Sequence, residues 1–93
     1  MIKRIICQDK YEAVKLSSLI FIKSGKETFI KEILNIIKNE VVISLKDKSA
    51  HSIILKDDQE VEIFADFIQS ICEGRHRIIS TIAYDEYVEI IKS

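Results

Sequence analysis

Between Asp57 and Gly74 the chain carries both ends of a helix and the stripe that would bury it. Asp57 is followed three residues later by Glu60, the reciprocal capping pair that satisfies the first free N–H groups of a helix. Asp57, Asp58, Glu60 and Glu62 crowd the end where the backbone dipole is positive. Val61, Phe64, Ala65, Ile68, Ile71 and Cys72 then recur at helical spacing as one apolar stripe, and Gly74 is a natural stop. The spacing predicts a helix over 58–73. A helix with a single apolar stripe must lay it on something.

The rest of the chain supplies a sheet. Twenty of its 93 residues are Ile and none is Pro. Stiff, β-branched Ile favours strands. Together with eleven Lys, it also suits a thermophile or an A/T-rich genome, bacterial, archaeal or viral. Residues 2–7 read as a strand. Residues 41–45 and 52–56 form a hairpin whose turn is Lys46-Asp47-Lys48-Ser49. Residues 77–83 form a further strand. Residues 84–92 fit either a returning strand or a last helix, and the alternation of Val88 and Ile90 with Glu89 and Lys92 favours the strand.

A second helix is expected over 25–39. Ser24 with Glu27 makes another capping pair, and Phe29, Ile30, Ile33, Leu34 and Ile37 follow at helical spacing. Residues 13–23 are ambiguous, because Asp9 and Glu12 also fit a helix cap. A short internal similarity bears on the choice. Ile20-Phe21-Ile22-Lys23-Ser24 with Glu27 aligns with Ile53-Ile54-Leu55-Lys56-Asp57 with Glu60, 33 residues on. It favours a strand over 16–23 and an element order ββαββαββ. The expected fold is one α+β domain spanning 1–93: a mostly antiparallel sheet with two amphipathic helices packed on one face.

That arrangement leaves a second sheet face. The adjacent pairs Ile5-Ile6, Ile53-Ile54 and Ile78-Ile79 place one Ile of each pair there, because strand side chains alternate. A face this apolar suits a partner protein or a second copy of the chain.

Net charge is −1 but unevenly spread. Residues 1–48 carry ten Lys and Arg against six acids, and residues 49–93 carry four against nine. Arg75, His76 and Arg77 form the densest basic spot, a candidate contact for an anion or an acidic partner. Lys26, Lys31 and Lys38 on the expected first helix are candidate nucleic-acid contacts, although acids interleave with them.

Catalytic and cofactor signatures do not emerge. Cys7, His51, Cys72 and His76 are scattered, so no metal ligand set is expected. Cys72 lies on an apolar stripe near the negative end of a helix, which opposes thiolate formation. Two Gly residues give no phosphate-cradling loop. The longest apolar run, Leu19 to Ile22, is too short to span a bilayer. No export signal is read, so a reduced cytoplasmic setting is expected, with both cysteines packed as small apolar residues. The function these features suggest is a non-enzymatic protein-interaction module, of the inhibitor, immunity-factor or regulatory-subunit type. A nucleic-acid-binding regulator using the basic first half is the alternative.

Overall fold

A computed structural model describes residues 2–20, 30–74 and 78–92. Eight elements follow in order: β1 (Ile2–Ile6), α1 (Lys10–Leu19), β2 (Ile30–Ile37), β3 (Glu40–Leu45), β4 (Ala50–Ile54), α2 (Asp58–Cys72), β5 (Ile78–Ala83) and β6 (Tyr87–Lys92). This is a small α+β fold with two antiparallel three-stranded sheets, ordered β1-β6-β5 and β2-β3-β4.

The expected helix over 25–39 is corrected. Residues 30–37 are a strand and Lys38-Asn39 a turn; residues 25–29, with the Ser24–Glu27 pair, lie outside the described residues. The other helix is α1, where the internal similarity favours a strand over 16–23; residues 21–23 lie outside the described residues. Asp9 is its N-cap, and the Asp9 side chain accepts the Glu12 N–H at 2.9 Å. The order is therefore βαβββαββ. The return strand of the hairpin, expected over 52–56, is Ala50–Ile54, two residues earlier; the other elements overlap the expected ones, and residues 87–92 are a strand.

The two halves of the chain have the same plan. Each is a βαββ unit, and they align at an offset of 48 residues. Ile5-Ile6-Cys7-Gln8-Asp9 with Glu12 matches Ile53-Ile54-Leu55-Lys56-Asp57 with Glu60. The hydrogen bonds repeat as well. Asp57 accepts from Glu60 N–H at 3.0 Å, as Asp9 does from Glu12. Gln8 N–H donates to Ile54 C=O at 3.0 Å, and Lys56 N–H to Ile6 C=O at 3.1 Å. These two bonds flank a bridge between Cys7 and Leu55, where the two sheets meet.

The units exchange strands. β1 pairs with β6 (Ile5 opposite Val88), not with the strands of its own half. β4 likewise pairs with β3 (Val41 opposite Ile53). The helices cross over too: α1 packs on β4, β5 and β6, and α2 on β1 and β2. One core results, in which Ile5, Leu16, Ile43, Ile53, Phe64 and Ile90 are wholly buried.

α2 ends as its sequence indicates. Gly74 takes φ +75°, a left-handed conformation that side-chain-bearing residues rarely adopt, and its N–H donates to Ile71 C=O at 3.0 Å. Lys38 and Lys48 hold positive φ in the β2–β3 and β3–β4 turns without that freedom.

Candidate functional site

The strand exchange decides which surfaces stay open. Residues opposite each other in a ladder share a face, and neighbours along a strand alternate. Ile5, Val88, Ile90, Val41, Ile43 and Ile53 are buried on the helix side. Their neighbours Ile6, Tyr87, Ile91, Val42 and Ile54 therefore face the other way, and all are half-buried. Each adjacent Ile pair splits: Ile5, Ile53 and Ile78 are buried, whereas Ile6 and Ile54 are half-buried and Ile79 is 62% exposed. The charged groups of this face include Arg4 and Glu89, which meet across the β1–β6 ladder at 3.3 Å. That pair is solvated on the Arg4 side and adds little stability.

Six of the nine exposed large apolar side chains among the described residues gather on or just beyond two edge strands, one in each sheet; the others are Ile2 on β1 and Tyr11 and Val14 on α1. Leu34, Ile36 and Ile37 lie on β2, Ile79 and Ile82 on β5, and Tyr84 just beyond β5. β2 and β5 are counterparts in the repeat, with Leu34 matching Ile82 and Ile36 matching Tyr84.

The two edges differ beside their helices. α1 presents Tyr11, 71% exposed, and Val14, 51% exposed, towards solvent. The matching positions of α2 are Gln59 and Glu62. Between α1 and β5 runs an open groove in two adjoining cavities. One, about 520 Å³, is lined by Val14, Ser17, Ser18, Thr81 and Ala83. The other, about 480 Å³, shares Val14 and Ala83 and adds Lys10, Tyr84, Asp85 and Glu86. Ser17 Oγ donates to Thr81 Oγ1 at 3.3 Å, tying helix to strand at the groove floor. Tyr84 and Tyr87 stack at its end, with ring centroids 4.9 Å apart.

Of the basic residues singled out in the sequence, Lys31 and Lys38 are among the described residues. Lys31 is on β2 and Lys38 in the β2–β3 turn, both exposed; neither is on a helix, so the helical basic stripe does not exist there. Their side chains follow strand and turn geometry instead, because Ile30 to Ile37 pairs with β3. Lys26, Arg75, His76 and Arg77 lie outside the described residues. Both cysteines are free; Cys7 is buried as expected, whereas Cys72, expected to pack as a small apolar residue, is exposed at the end of α2. Burial, with the carboxylate of Glu12 next in effect, pushes the Cys7 thiol up to about 12. Burial also raises Cys72, which is otherwise exposed and donates its thiol to Lys31 C=O at 3.2 Å.

One cluster had no sequence signal beyond proximity. In the β3–β4 turn, Ser49 Oγ donates to Asp47 Oδ1, and His51 Nε2 lies 3.0 Å from Ser49 Oγ. A nucleophilic serine needs its proton directed at the histidine. Here it is directed at Asp47, so the arrangement braces the turn. The Ser49 hydrogen bonds hold the Asp47 carboxyl below its ordinary value. Among the described residues, no group of three or more His, Cys, Asp or Glu is placed to hold a metal ion. No described helix is long and apolar enough to cross a membrane. Comparison with protein-family models, curated proteins and solved structures finds no match to this chain.

Proposed function

We propose that this chain is a small, non-enzymatic, cytoplasmic protein-interaction module, acting as an inhibitor, immunity factor or regulatory subunit. The observation that carries the reading is the placement of exposed apolar residues. Six of them gather on or just beyond β2 and β5, each an edge strand of its sheet, and others continue onto the uncovered sheet face. Apolar groups gathered at a sheet edge, rather than scattered, mark a surface that is covered in use. A protein target or a second copy of the chain would cover it.

The test is capture from lysate with and without nuclease treatment, followed by titration of the retained partner against the purified chain. The reading expects one protein retained stoichiometrically, and loss of retention with the paired substitution Leu34→Lys and Ile82→Lys. Retention of nucleic acid, with affinity that falls steeply as salt rises and weakens on Lys31→Glu, would instead establish the nucleic-acid regulator. Retention unaffected by the edge substitutions would remove the role given to these surfaces.

A further inference from the structure

We infer that the groove between α1 and the edge of β5 takes an extended segment of a partner protein, added to the sheet as a further antiparallel strand. The inference rests on the reading of the chain as an interaction module and names the partner's chemistry.

The edge itself specifies a strand. β5 ends the order β1-β6-β5, so alternate N–H and C=O groups along it point outward. Such groups are satisfied by another backbone in extended form. The two edges are not equivalent. β2 carries register shifts between Ile30 and Glu32 and between Ile33 and Asn35, and such bulges blunt an edge against pairing. β5 has a shift only at its start, and Ser80 to Ala83 pairs with β6 without interruption. Beside β2, helix α2 carries Glu62 and Asp66; at the matching positions beside β5, α1 carries Val14 and Ser18. The repeat thus has one edge blunted and flanked by acids, and one straight and flanked by an apolar groove.

The flanking side chains describe the occupant. On the helix side an added strand meets Val14, Ala83 and the Ser17–Thr81 contact, which suit small apolar side chains at every second position. Its other face would lie beside Ile82. At the far end Asp85 and Glu86 outnumber Lys10, and exposed Tyr84 offers a ring face, Tyr87 being taken up between Tyr84 and Arg4. Lys or Arg fits there by charge and by contact with the Tyr84 ring. In antiparallel order that cation stands at the N-terminal end of the segment, because Asp85 follows β5.

The probe is the peptide acetyl-Lys-Val-Thr-Val-Thr-Val-amide, titrated into the full chain and followed by amide NMR. The expected result is saturable binding, with shifts confined to Ile79–Ala83 and the Val14 turn of α1. Alternate N-methylation of the peptide, which removes one row of its main-chain donors, should weaken binding by about tenfold or more. Val14→Glu, the residue that α2 carries at the matching position, should weaken it similarly without unfolding an exposed site. Asp85→Asn with Glu86→Gln should remove most of its salt dependence. The inference is overturned by absence of β5 shifts, by equal binding of the N-methylated peptide, or by a dimer whose β5 amides are already protected without peptide. If peptide fails while the captured protein still binds and Val14→Glu does not weaken it, the groove falls and the interaction reading stands. Peptide binding with no protein partner captured would instead uphold the groove and remove the stoichiometric target.

Discussion

At the scale of single residues, Glu12 has the most demanding position. Its side chain is buried; one oxygen accepts Ile54 N–H at 2.8 Å, and the other pairs with Lys15 at 3.1 Å. It therefore ties α1 of the first half to β4 of the second. Removing it leaves the half-buried Ile54 N–H without that acceptor. Glu12→Ala should cost about 2–4 kcal/mol, measured by denaturant unfolding. Its counterpart Glu60 makes no matching use of one oxygen, since Oε2 is buried without a partner. Glu60→Gln should accordingly change stability less than Glu12→Gln. Cys7 gives a pH prediction. Its thiol is raised in the folded state, so the stabilisation is fully present below pH about 9 and is lost as pH rises towards 12. Stability should fall with a limiting slope of roughly 1.4 kcal/mol per pH unit above about 9, and Cys7→Ser should remove that slope. At pH 8 a thiol reagent should modify Cys72 slowly and reach Cys7 only on unfolding; two equally fast thiols would contradict the core placement.

At the scale of elements, caps and turns carry the local energetics. Asp9→Ala and Asp57→Ala should each cost about 1 kcal/mol by thermal or urea unfolding, because each removes the acceptor for a first-turn N–H. Lys38 and Lys48 hold left-handed backbone, so Lys38→Gly should stabilise the β2–β3 hairpin by up to about 1 kcal/mol. This scale also shows where residue patterns are informative. α2 was legible because its stripe, capping pair and terminal Gly agree. The β3–β4 hairpin and the strands β1, β5 and β6 were legible from alternation between turns. β2 was not: two bulges break its alternation, and Ile30, Ile33, Leu34 and Ile37 happen to fall at helical spacing. α1 was obscured for the opposite reason. It exposes Tyr11 and Val14 and buries Glu12, which blurs the apolar stripe that marks a helix. The apparent similarity between residues 20–27 and 53–60 paired the second cap with the wrong partner. The structural counterpart of Asp57 is Asp9, whose preceding Cys7 and Gln8 disguise the likeness to Leu55 and Lys56.

At the scale of the whole molecule, the exchange of strands between the two βαββ units governs both stability and surface. Each half places its first strand and its helix on the other, so neither has a complete core alone. Phe64→Ala, in the shared core, should cost about 3–5 kcal/mol and lower one common unfolding transition rather than that of one half. The candidate site was only partly legible, because exposure at an edge depends on strand order. The pairs of Ile indicated an apolar second face. The open groove beside β5 follows only once β1 is known to lie on the far side of β6. For the same reason, the basic and acidic halves do not form separate lobes: the strands of each sheet come from both.

The position of β6 between β1 and β5 is thus the claim on which the rest depends, and NMR measurement of cross-strand contacts in the labelled full chain tests it most directly. The structure predicts contacts of Ile5 with Val88 and of Lys3 with Ile90 on one side of β6, and of Thr81 with Ile90 and Ala83 with Val88 on the other. Contacts of β1 with β2 or β3, leaving one side of β6 unpaired, would contradict the strand exchange and the edge assigned to β5.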